Sequence, residues 1–241
     1  MTRRGLLAAL PALPLSAQIH EEIRRMAASA PLRLRFGGGD AQDCRRWQQA
    51  FGARLREMLG PFDPPARWET VVEDTAEFED HRREALLLRA EGCRDLPVYL
   101  LLPRKDPGKR PGILALHGHG AFGYDPVAGV GDTPERRAEI ENARYDYGLQ
   151  LVRRGYAVAV PCFTPFGRRL GDRAAYRGED PCAVTFVRMQ LLGKLLIAEN
   201  LRDALWSLEL LSRHERVDAA RLACAGLSYG GRMAMLTSAL S

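Results

Sequence analysis

Apolar residues in the first part of the chain recur at helical spacing. Ile19, Ile23, Met26 and Ala27 predict a helix over 18–30. Asp40 is a plausible N-cap for a second helix reaching Leu59, with Gly60-Pro61 as its stop. Trp47, Phe51, Leu55 and Leu59 give that helix one apolar face. The pattern then changes to strands. Trp68 to Val72 reads as one, and 85–90 and 97–102 read as the arms of a hairpin. Three short runs, 112–117, 156–160 and 221–226, read as buried strands, and the continuous apolar run of the first is that of a parallel strand covered on both faces. Helical segments are predicted over 142–154, over 182–213 with a break at Gly193, and over 230–240. Strand–helix–strand–helix–strand is the order of a doubly wound α/β sheet. The expected organisation is a leader over 1–17, a helical lead-in over 18–65 and an α/β domain over 66–241.

The leader is expected because Arg3-Arg4 is followed by a short apolar run and small residues up to Ala17, the parts of an export signal of twin-arginine type. A periplasmic or secreted location follows from it, with a cytosolic tail as the alternative. No apolar stretch is long enough to span a bilayer. The 241 residues are 46% hydrophobic and 27% charged, which excludes a disordered or collagen-like chain. The net charge of +5 rests on 32 arginines and 3 lysines scattered in pairs along the chain. A nucleic-acid binder would cluster them on one face, so no nucleic-acid partner is expected. The five cysteines form no CxxC pair; Cys162 and Cys182 are the only two that suggest a bridge, and two free thiols is the simpler reading.

The chemistry concentrates at Gly226-Leu-Ser-Tyr-Gly230, a GxSxG motif between an apolar strand and a helix. That setting is what a nucleophile elbow requires. Gly226 and Gly230 permit a turn tight enough to lift the Ser228 hydroxyl above the sheet, at a helix amino end that favours developing negative charge. His117-Gly118-His119-Gly120 ends the first buried strand, in the loop expected to face the elbow. Its backbone N–H groups, with that of Tyr229, are candidates for an oxyanion hole. The competing reading takes His117 and His119 as metal ligands; only His214 follows them, so that ligand set is incomplete.

These residues resemble α/β-hydrolases of the dienelactone-hydrolase-like and acetyl-xylan-esterase-like group. The resemblance rests on 114–120, 154–161, 165–169, Val217-Asp218 and 226–231, in the expected order over about 67–241. It implies the α/β-hydrolase fold, a mostly parallel doubly wound sheet preceded by antiparallel strands. It also implies Ser228 as nucleophile, and Tyr229 with His119 or Gly120 as oxyanion donors. The implied substrate is a small-molecule or carbohydrate ester (an acetyl ester or small lactone), cleaved through an acyl-serine without a cofactor or metal. Arg168, Arg169 and Asp172, in the loop after the second buried strand, are candidates for the substrate side, whereas Asp203 reads as a surface or capping group.

The triad order of this fold is serine, then acid, then histidine. Residues 229–241 contain no Asp, Glu or His. The expectation is therefore a hydrolase incomplete at its C-terminus, inactive alone, with the elbow strand left as an open edge and poor solubility as a consequence. A non-catalytic binding protein of the same fold is the alternative.

Overall fold

The computed structural model describes residues 15–104 and 108–241. The export signal expected over 1–17 therefore lies outside them, except that the first helix, α1 (Leu15–Ser29), already begins at Leu15. The chain divides into two compact units, one ending at Phe51 and the other running from Gly52 to Ser241.

In the first unit, α1 is followed by a glycine-rich loop and the start of α2 (Ala41–Leu59). Asp40 caps α2 as expected, its Oδ1 accepting the N–H groups of Gln42 at 2.7 Å and Asp43 at 2.8 Å. Trp47 stacks on Phe51 and donates its indole N–H to the Leu34 carbonyl at 2.7 Å.

The second unit is built on a six-stranded sheet: β1 (Glu69–Glu77), β2 (His81–Arg89), β3 (Leu96–Pro103), β4 (Arg110–Leu116), β5 (Ala157–Pro161) and β6 (Val217–Gly226). The order across the sheet is β1-β2-β3-β5-β4-β6. β1, β2, β3 and β5 pair antiparallel in succession, while β5, β4 and β6 pair parallel. From β4 the chain crosses to one neighbour, β5, and then returns past β4 to the other, β6. That reversal opens a crevice at the carboxyl ends of β4 and β6, where ligands bind in doubly wound sheets.

Both faces of β4 and β5 are covered, which is why they lack polar alternation, whereas β6 forms an edge of the sheet and only its Val217 is buried. Leu114 and Leu116 of β4 belong to a core with Leu201, Trp206 and Leu211 of α6 (Leu196–Arg213) and Met233 of α7 (Tyr229–Leu240). Ala115 points the other way, to a second core with Val158, Val160, Tyr124 and Val152. Val152 lies on α4 (Tyr147–Arg153), so α4 and α6 flank opposite faces.

The expected helix over 142–154 is instead two: α3 (Pro134–Ala143) and α4, separated by a left-handed Arg144 at φ 48°. Thr133 caps α3 by accepting the Arg136 N–H at 3.2 Å, and Pro134 occupies its first turn. The long helical region after it is α5 (Pro181–Leu191) and α6, with the break at Gly193, whose φ is +68°. All five cysteines are free. Among the described residues, no single helix is long and apolar enough to cross a membrane.

Candidate active site

β6 ends at Gly226 and α7 begins at Tyr229, so Leu227 and Ser228 alone make the turn between them. Ser228 sits at φ 56° and ψ −116°, a conformation that non-glycine residues rarely adopt. The end of β4 lies directly beneath. A Cβ on Gly230 would collide with the Leu116 carbonyl oxygen and lie 2.6 Å from its carbon; one on Gly226 would lie 2.8 Å from that oxygen. These neighbours are backbone and cannot swing aside, so only glycine fits at either position. Ser228 itself is exposed, and its side chain makes no cap bond to α7.

The loop after β4 faces this turn. A Cβ on Gly118 would stand 3.3 Å from the Ser228 Cβ. The Gly118 N–H donates to the Tyr145 hydroxyl at 2.6 Å, and the Gly120 N–H donates back to the Gly118 carbonyl at 3.0 Å. The N–H groups of Gly118 and Gly120 thus already have acceptors that hold the loop. The backbone N–H groups of His119 and Tyr229 have no acceptor among the described residues. The His119 ring stands edge-on to Tyr229 at 4.9 Å and to Phe166 at 5.3 Å, with Nε2 3.3 Å from the Cys182 sulfur.

His117 is fully buried. Its Nδ1 lies 2.8 Å from the Gly118 carbonyl and its Nε2 accepts the Phe163 N–H at 2.9 Å. The ring is therefore neutral and protonated on Nδ1, and burial holds its pKa down at about 4. With both nitrogens committed, it has no lone pair for a metal, so the metal reading loses its first ligand.

The loop after β5 is pinned by polar groups from beneath. The buried Asn200 of α6 accepts the Thr164 N–H at 3.0 Å and donates to the Thr164 carbonyl and the Tyr229 hydroxyl at 2.9 and 2.8 Å. Burial pushes the Tyr229 phenol up to about 12. Asp203, expected at the surface, is fully buried and ion-paired with Arg169 and Arg202. Arg169 also donates to the Cys162 carbonyl at 3.1 Å. Arg168 makes a two-pronged contact with Glu73 of β1. Asp172 caps a short turn by accepting the Ala174 N–H at 2.9 Å. Of the three expected substrate-side residues, Arg168 and Arg169 are thus held by carboxylates and Asp172 by backbone.

The residue sequence reasoning missed is Arg173. It lines a cavity of about 260 Å³ beside the His119 ring, together with Phe166, Leu170, Asp180 and Cys182. On the other flank of the loop, the Glu139 carboxyl packs against Gly120, and burial raises its pKa. The remaining histidines in this unit lie elsewhere. His81 pairs with Asp80 at 2.6 Å at the start of β2. His214 accepts the Arg216 N–H at 3.1 Å before β6, a ten-residue strand and so about 30 Å from Ser228.

No protein-family model matches the sequence. A Bacillus subtilis (strain 168) protein named "Putative hydrolase YtaP" is 30% identical over 194 residues, covering 78% of this chain and 58% of that protein. A Bacteroides fragilis NCTC 9343 structure described as a "putative acetyl xylan esterase" superposes with a TM-score of 0.77 at 19% identity, covering 92% of this chain and 57% of that one. Methylesterase BT1017 superposes with a TM-score of 0.63 at 15% identity, covering 85% and 40%. The chain thus spans about half the length of the proteins it matches. The strand order, the turn at Ser228 and these likenesses together establish that the chain has the α/β-hydrolase fold.

Proposed function

We propose that the chain carries the nucleophile and oxyanion hole of a serine ester hydrolase. The single observation behind this is the backbone of Ser228: a strained, exposed serine between a parallel strand and a helix, braced by two glycines that cannot be replaced. The Ser228 hydroxyl attacks the ester carbonyl, and the carbonyl oxygen takes up the charge. The N–H groups of Tyr229 and His119 stabilise that oxyanion, and the alcohol leaves from the tetrahedral intermediate to give an acyl-serine. Likeness to an acetyl xylan esterase and a methylesterase supports a carbohydrate or small-molecule ester as substrate.

The proton on Ser228 needs an acceptor. His117 is committed on both nitrogens, His119 turns Nε2 to Cys182, and no histidine follows Ser228 in the sequence. We therefore propose that the triad base and acid come from outside these residues and that this chain alone turns over esters slowly or not at all. The test is a fluorophosphonate probe with mass mapping, with and without added imidazole as a surrogate base. Modification is expected on the tryptic peptide Leu222–Arg232, faster with imidazole and lost in Ser228→Ala. An unmodified peptide under both conditions would refute the nucleophile assignment.

A further inference from the structure

The cavity beside His119 holds one cation whose charge has no partner. Of the three arginines between 168 and 173, Arg168 is held by Glu73 and Arg169 by Asp203. Arg173 makes no hydrogen bond or ion pair among the described residues, and it lines the cavity. The other ionisable groups facing that space are His119, Asp180 and Cys182. Asp180 makes no ion pair with Arg173; its Oδ1 accepts the Ala183 N–H at 2.7 Å and caps α5. The Cys182 thiol sits against His119, and burial together with the Asp180 charge keeps it protonated. Phe166, Leu170 and Pro165 supply apolar walls. Such walls lower the local dielectric and strengthen a charge pair formed between them.

We infer that this cavity is a subsite for a carboxylate, so that the esters handled at Ser228 carry a free carboxylate on the arm that enters it past His119, paired with Arg173. The inference deepens the hydrolase reading and rests on it for the word ester. The geometry of the subsite stands without turnover. A volume of about 260 Å³ admits a short acyl or alkyl arm but not a whole oligosaccharide. Guanidinium offers a carboxylate two parallel hydrogen bonds, whereas a neutral group of the same size receives at most one of comparable strength. Hydroxyls on the same arm would find an acceptor in the second oxygen of Asp180.

The experiment measures binding in the Ser228→Ala chain, where turnover cannot interfere. Monomethyl succinate, as its monoanion, and neutral dimethyl succinate are titrated separately by NMR. The anion is expected to bind about tenfold tighter, the worth of one charge-assisted hydrogen-bonded pair. Arg173→Gln should erase the difference, Arg173→Lys should keep part of it, and Asp180→Asn should widen it. Because Arg173 is exposed, these variants should keep the wild-type circular dichroism. Equal binding of the two compounds, or a preference that survives Arg173→Gln, overturns the subsite. Failure of the fluorophosphonate test with the Arg173-dependent preference intact would remove the hydrolase reading and leave the carboxylate site standing.

Discussion

His117 ties the stability of the site to pH in a way that can be calculated. Its ring is fully buried and neutral, with a pKa of about 4 against an ordinary value of 6.5. Between those two values the unfolded chain binds a proton that the folded chain refuses. Stability from this group is therefore complete above pH 6.5 and is lost as pH falls toward 4. Each unit of difference corresponds to about 1.4 kcal/mol, so lowering the pH from 7 to 5 should remove about 2 kcal/mol, and reaching pH 4 about 3 kcal/mol. Other groups titrate nearby. His214 is also held low by burial and acts in the same direction, whereas Glu139 is raised and opposes it. The comparison that isolates His117 is with His117→Gln, whose amide is neutral throughout and can still accept the Phe163 N–H. Urea unfolding at pH 7, 6 and 5 should give curves for the two proteins that converge by about 2 kcal/mol at the lowest pH. Wild type and His117→Gln losing stability in parallel would show that the imidazole is not the buried, neutral bridge between β4 and the loop after β5.

Four further outcomes follow from the same geometry. Ser228→Gly should raise stability by about 1–2 kcal/mol by relieving the positive φ, while Ser228→Ala leaves it near wild type; equal stabilities in a thermal melt would remove the strain argument. Gly230→Ala places a methyl group against the Leu116 carbonyl and should abolish cooperative melting or cost at least about 3 kcal/mol; a melt unchanged from wild type would refute the close approach. Arg169→Met leaves Asp203 buried with only Arg202, and should cost about 3–5 kcal/mol, much of it recovered in Arg169→Met/Asp203→Leu; full additivity in that double-mutant cycle would show that the pair does not interact. Asn200→Leu removes the bonds to Thr164 and to the Tyr229 hydroxyl, and should cost about 2–4 kcal/mol in urea unfolding; a smaller loss would mean that the loop is held by other contacts.

How far the site was legible in the sequence depends on where its information resides. The elbow could be read because its constraint is local: two glycines, a serine, a strand before and a helix after. β4 and β5 could be read because burial on both faces erases polar alternation over their length. Arg169 and Asp203 could not be read, since their burial is a property of a pair 34 positions apart. Alone, each looks like a solvated charge. Yet Asn200, Asp203 and Ser207 recur at helical spacing on the apolar face of α6, among Leu201, Ala204 and Leu211, and all three are buried. A short polar stripe on the apolar face of α6 was the available signal, because such a stripe has to meet buried backbone or charge. α3 was passed over for the opposite reason. Its residues, PERRAEIENA, carry almost no apolar face, and only the Thr133-Pro134 cap marks its start.

The same distribution explains why the loop between 162 and 180 is held in one conformation. Three buried groups beneath it, His117 at the end of β4 and Asn200 and Asp203 of α6, satisfy its backbone or the charge of its Arg169. Each of these contacts lies in a space where an unmet polar group costs about 1–3 kcal/mol. Displacing the loop would expose several at once, so its conformation is set before any ligand arrives. Arg173 stands outside that network, on the cavity side, where it can change without loss of the fold. Substitution at 168, 169 or 203 should therefore act through stability, and substitution at 173 through ligand choice. A stability loss from Arg173→Gln comparable to that of Arg169→Met would contradict this division, since it would place Arg173 among the supports of the loop rather than at its open side.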